Sequence, residues 1–179
     1  MLQLRSKETL DHGDRGWLKA RHHFVVSANG NPENGPLGAL VVWNDDEIAP
    51  DTGFGRHSHA DMEIVTYVRQ GAVTHEDSVG NVGRTVAGDV QVISAGTGIS
   101  HSEHNRDEAP LKLFQIWLRP RQPDGTPRWD TRKFPKAEIL NWVMAAGMSE
   151  HLTNDWSEYF PAYRTPAGTG TGIAFATWS

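Results

Sequence analysis

His57 and His59 stand one residue apart in "HSHADME", and a later stretch, "GISHSEHN", sets His101 and Glu103 at the same spacing. Imidazole nitrogens and carboxylate oxygens are donors for Fe, Ni, Cu, Mn or Zn. The chain has no cysteine, so a thiolate site and a cysteine nucleophile are excluded. Residues two apart in a strand point to the same side. His57 and His59 therefore share a face, joined by Glu63 if the strand runs unbroken, and His101 and Glu103 share another. Two such strands laid alongside place two imidazoles opposite an imidazole and a carboxylate. Around an octahedral ion, four protein ligands leave two positions for substrate or water; around tetrahedral zinc the same four close the site.

The elements that must position these residues are short. Apolar runs rich in β-branched and aromatic residues occur at 37–43 ("LGALVVW"), 62–68 ("MEIVTYV"), 71–75 ("GAVTH"), 89–94 ("DVQVIS") and 111–118 ("LKLFQIWL"). Turn chemistry such as "NPENG", "PDTGFG" and "VAGD" bounds them. None has a helical period, and the pattern predicts an all-β sandwich or barrel. Gly96 and Gly98 supply turns beside the second cluster. Composition changes near Pro135. Residues 136–152 read as one helix, with Ile139, Val143 and Ala146 on one side. The Gly/Thr-rich end that follows is a poor candidate for a packed unit.

The bulk numbers narrow the class. The 179 residues suffice for one ordinary domain and an appendage. A hydrophobic content of 37% and a charged content of 22% describe a soluble globular chain. The formal charge of −5, without a basic stripe, argues against nucleic-acid binding. No window approaches the ~18 apolar residues of a membrane helix, and the N-terminus lacks a signal-peptide core. The expected location is the cytoplasm.

Taken in order, His57-x-His59, Glu63, Gly88-Asp89 and "AGTGISHSE" resemble the two cupin motifs in their pirin-type form. The text around them, "RGWLKARHHF", "NPENGPLGALVVWNDDEIAPDTGFGRHSH" and "LFQIWLRP", is similar as well. The resemblance runs from about residue 3 to about residue 135. It implies a cupin-type β-barrel, a double-stranded β-helix or jelly roll, with a divalent transition metal, commonly Fe(II), in its mouth. The ligands it implies are His57, His59, His101 and Glu103. Glu63 aligns with a ligand of other cupins and is assigned here to the pocket wall. Residues 1–135 form the pirin-type N-terminal domain. Residues 136–179 are an atypical or truncated tail, helical or poorly ordered, in place of the usual second cupin domain. The face left by that missing domain predicts self-association.

Two functions follow from the resemblance. One is an iron-dependent dioxygenase of the quercetin 2,3-dioxygenase type, with a flavonol-like aromatic substrate and Glu103 as both ligand and catalytic base. The other is a non-catalytic, metal-bound regulatory module that binds a protein partner. A tail defect that leaves an inactive product is a third outcome.

The other conspicuous residues have plainer readings. His22 and His23 are adjacent, point to opposite sides and are structural. His75, in "THEDS", is expected at an exposed strand end. Asp61 is expected to hydrogen-bond at a bend, His104 to point away from the site, and Trp17, Trp43 and Trp117 to pack in the core or rim. "AGTG" lacks the lysine and helix that a phosphate loop needs.

Overall fold

A computed structural model describes residues 7–26 and 30–133 and the backbone of 154–160 and 173–178. The chain alternates outward and inward side chains in one strand after another. Leu40, Val42, Asp46 and Ile48 are buried along β3 (Leu40–Ile48), with less buried residues between them. The same alternation gives β9 (Ile99–Asn105) a buried row of Ile99, His101, Glu103 and Asn105. This two-residue period is that of a half-buried strand.

A 3₁₀ turn at Lys7–Thr9 precedes β1 (Asp11–Asp14) and β2 (Leu18–His22). After β3 come β4 (Thr52–His59), β5 (Glu63–Gln70), β6 (Ala72–Asp77), β7 (Val82–Val86) and β8 (Asp89–Ser94). β10 (Leu111–Leu118) and β11 (Arg128–Lys133) follow β9. Two sheets result. One has seven strands in the order β1-β2-β3-β10-β5-β8-β11, and the other four in the order β4-β9-β6-β7. Each adjacent pair is antiparallel. The all-β expectation holds, and the architecture is the cupin jelly roll.

The core lies between the sheets. Leu18, Ala20, Ile48, Val68, Leu111 and Leu113 of the larger sheet meet Val73 of the smaller one, with Trp17 and Phe54 packed against them. A second cluster joins Ile64, Ile93, Ala95 and Ile99, with Met62, Trp117 and Trp129 against it. Asn105 ties β9 to the turn after β3. Its buried amide donates to the carbonyls of Ile48 at 3.1 Å, Ala49 at 3.1 Å and Ala109 at 2.9 Å.

The chain divides into two compact units, 1–36 with 40–133, and 37–39 with 134–179. In the second, β12 (Asn154–Phe160) and β13 (Ile173–Trp178) pair antiparallel. The helix expected over 136–152 lies outside the described residues. Among the described residues no helix is long and apolar enough to cross a membrane.

Candidate metal centre

β4 and β9 run alongside each other, and their register positions the site. Thr52, Gly53 and Phe54 pair with Asn105, His104 and Glu103; beyond them His57, Ser58 and His59 pair with His101, Ser100 and Ile99. One extra residue therefore lies on β4 between Phe54 and His57, which is a β-bulge. The bulge reverses the inward parity of the strand. Phe54 faces the core before it and His57 and His59 face inward after it, while Gly55 and Arg56 are exposed.

The three imidazoles converge. Their ring centroids lie 4.3 Å apart for His57 and His101, 4.9 Å for His57 and His59, and 5.1 Å for His59 and His101. One ligand nitrogen from each lies within 4.8 Å of the others. His57 Nδ1 sits 2.8 Å from the Gly55 carbonyl oxygen. A carbonyl only accepts, so Nδ1 carries the proton and Nε2 keeps its lone pair. Among the described residues, His59 Nε2 and both ring nitrogens of His101 are buried without a partner. Buried polar atoms are rarely left so. Burial, reinforced by the neighbouring His57, pushes the His59 pKa down to about 4. Burial, then His57, His59 and His75, pushes His101 down to about 3. Both rings are neutral at physiological pH, as metal ligands must be. The neutral His59 and His101 rings, with their orphaned nitrogens, and the His57 ring that converges with them fit a divalent metal ion.

Glu103 faces inward on β9 and is buried, yet it is not one of the three groups that converge. Its two oxygens are held elsewhere. Gln91 Nε2 donates to Oε1, and Gln115 Nε2 donates to Oε2 at 2.9 Å. Each amide is oriented from behind: Trp129 Nε1 donates to Gln91 Oε1 at 3.1 Å, and Trp117 Nε1 to Gln115 Oε1 at 3.2 Å. An indole N–H only donates, so it fixes which end of each amide faces Glu103. Burial raises the Glu103 pKa to about 7 against the lowering effect of the Gln115 and Gln91 bonds.

His75 corrects its sequence reading. It is fully buried rather than exposed at a strand end, because β6 turns it inward opposite Glu103. Its Nε2 bonds Asp77 Oδ2 at 2.9 Å, and its ring stacks on Trp129 at 5.1 Å and 8° and lies 5.3 Å from His101. Asp77 is a fixed acceptor, taking the backbone N–H of Val79 and Asn81 and the Asn81 side-chain amide as well. Gln91, Gln115 and the His75–Asp77 pair were the residues that sequence reasoning missed. For Gln91 and Gln115 the signal was a polar residue at an inward position of a largely apolar strand; His75 and Asp77, in the polar run "THED", carried none.

β4 ends at His59, so Glu63 starts a new strand rather than sharing a face; its Oε1 accepts from Ser94 Oγ at 2.7 Å. Asp61 adopts φ 47° at the bend, and its Oδ1 accepts from the Asp124 N–H at 2.8 Å. Gly96 and Gly98 have φ of 47° and 144°. His22 Nδ1 bonds Asn44 Oδ1 at 2.9 Å, and His23 lies 5.8 Å from the Trp43 ring. Trp117 does more than pack, since its ring is also 4.8 Å from His59.

Comparison with known proteins agrees with this geometry. The pirin family model matches residues 3–118. A pirin-like protein of Caulobacter vibrioides is 54% identical over 84% of this chain and 66% of its own length. A quercetin 2,3-dioxygenase of Escherichia coli K12 is 44% identical over 81% of this chain and 63% of its own length. The chain thus spans less than two thirds of the length of these relatives. The crystal structure of the bacterial pirin YhhW from Escherichia coli in complex with nickel(II) superposes with a TM-score of 0.72 at 44% identity, covering 75% of this chain and 59% of that one. The chain belongs to the pirin family of the cupin superfamily.

Proposed function

We propose that residues 1–135 act as a metal-dependent dioxygenase domain of the quercetin 2,3-dioxygenase type, with Fe(II) as the resident ion and a flavonol as substrate. The observation that carries this reading is the convergence of His57, His59 and His101, with the buried Glu103 carboxyl, its pKa raised to about 7, facing inward on the same strand as His101. The similarity to a relative named for that activity supports it. The cysteine-free chain asks for no oxidising compartment, and we place it in the cytoplasm.

His57, His59 and His101 would hold the ion, with Glu103 assigned as fourth donor. When bound, the ion supplies Lewis acidity and redox chemistry toward O₂. The chain's own groups do the rest. The Gly55 carbonyl fixes the tautomer of His57. Glu103 takes the proton of the flavonol 3-hydroxyl, since an acceptor near pH 7 is matched to that task. Gln91 and Gln115 keep its carboxylate in one place and leave each oxygen a further lone pair. Trp117 and Phe54 present flat walls beside His59 and His57.

The test is loss of the quercetin absorbance band with O₂ uptake and release of carbon monoxide by the iron-loaded protein, abolished in His101→Ala. Glu103→Gln should keep most of the metal and lose turnover. Full metal loading without turnover assigns the site instead to a non-catalytic, metal-bound binding module.

A further inference from the structure

A cavity of about 720 Å³ opens between β1, β2, β3 and β10, with Phe54 and Trp117 in its wall. That volume is in the range of small-molecule sites. Two wall residues also border the imidazole triad: Trp117 lies against His59, and the Phe54 ring is 6.2 Å from His57. The lining mixes apolar and aromatic side chains with polar ones: Glu8, Asp11, His12, Arg15 and His22 come from the N-terminal segment, and three more, Asn44, Asp46 and Gln115, from β3 and β10.

Two of the three are already satisfied. Asn44 Oδ1 bonds His22 Nδ1, and Gln115 donates to Glu103 and accepts from Trp117. Asp46 differs. It is 1% exposed, and among the described residues its Oδ1 has no hydrogen-bond partner. Arg69, the nearby cation, pairs with Asp45 instead. A buried carboxyl oxygen left open in a cavity wall asks for a donor from whatever fills the cavity.

We propose that this cavity binds a hydroxylated aromatic ring and that Asp46 is the specificity-determining residue, its Oδ1 accepting the hydrogen bond of a ring hydroxyl remote from the metal. The flat walls provide area for an aromatic ring without selecting among rings. The open oxygen selects, because a ring without the hydroxyl leaves it unpaired. The proposal rests on the flavonol reading of the metal centre and names the part of the molecule that the metal does not hold.

The probes are quercetin and 3-hydroxyflavone, which keeps the 3-hydroxyl and 4-keto pair and lacks the other hydroxyls. Binding is read from tryptophan quenching in metal-loaded and metal-free protein. Wild type should bind quercetin ~10-fold or more tightly than 3-hydroxyflavone, because the ring without the hydroxyl leaves a buried acceptor unpaired. Asp46→Leu should lose that preference and keep its affinity for 3-hydroxyflavone and its metal content. Asp46→Asn, which retains an acceptor oxygen, should keep most of the preference. An unchanged preference in Asp46→Leu, an equal loss for both flavonols, or binding of neither overturns the assignment. Quercetin turnover indifferent to Asp46 removes this pocket and leaves the proposed function. Asp46-dependent binding without O₂ uptake removes the reaction and leaves the pocket.

Discussion

His57 lies directly across the β4–β9 pair from His101, ring against ring at 4.3 Å, because β4 carries one more residue than its partner between Phe54 and His57. A strand of regular register that kept Phe54 in the core would turn both histidines of "HSH" outward.

Deleting Gly55 removes the extra residue: Phe54 stays opposite Glu103, Arg56 comes opposite Ser102, and His57 stays opposite His101. The core side chains are untouched, so the variant is expected to fold. It should keep the facing pair and lose the carbonyl that fixes the His57 tautomer. Metal binding, measured by mass spectrometry after dialysis against nickel, should therefore weaken by ~10-fold to ~100-fold in affinity, the loss typical of an outer partner of a ligand, and less than in His101→Ala. A loss as deep as in His101→Ala would show that the bulge, and not only its carbonyl, is needed to hold the ligands.

The clamp on Glu103 makes a prediction about stability. Gln115→Leu leaves one oxygen of a buried carboxylate without its donor and frees the Trp117 N–H. The cost should be about 1–3 kcal/mol, seen as a lower urea midpoint at neutral pH. Since Gln91 and Gln115 both lower the Glu103 pKa, either loss drives it further up. The penalty should therefore shrink as pH falls and the carboxyl takes its proton. A pH-independent penalty would place the effect in packing.

Asp46 predicts a pH dependence of the opposite kind from a surface carboxylate. Burial first, then Asp45 and Glu103, raise its pKa from 3.8 to about 7 against Arg69. The folded protein thus holds a proton that the unfolded chain releases, and this group's contribution to stability declines as pH rises from about 4 to 7. Asp46→Asn removes the decline. Relative to wild type, the variant should gain on the order of 2–4 kcal/mol between those limits, read from urea midpoints of metal-free protein at pH 4 and pH 8. Parallel profiles for the two proteins would mean that the carboxyl is ionised and solvated in the native state.

Much of this was legible because a strand has a simple period. "DVQVIS" and "LKLFQIWL" coincide with β8 and β10, and the one-residue spacing of His57 with His59 and of His101 with Glu103 announced two inward-facing rows. β1 and β11 escaped notice because "DHGD" and "RWDTRK" carry charges rather than an apolar run. The bulge was invisible too, since nothing in "FGRH" distinguishes an extra residue from a regular one. His75 was misread because its neighbours, Glu76 and Asp77, look like a solvated end. Asp77 in fact turns inward and spends its charge on His75 and the Val79–Asn81 turn.

Trp117 belongs to two compartments at once, since it touches His59 and also lines the cavity. An ion with open d-orbitals and an absorbing flavonol would each drain its excited state. If the ion and the flavonol bind as proposed, Trp117 would act as an optical gauge, dimming in one step with the ion and in another with the ring, and Trp117→Phe should shrink both steps without preventing either event.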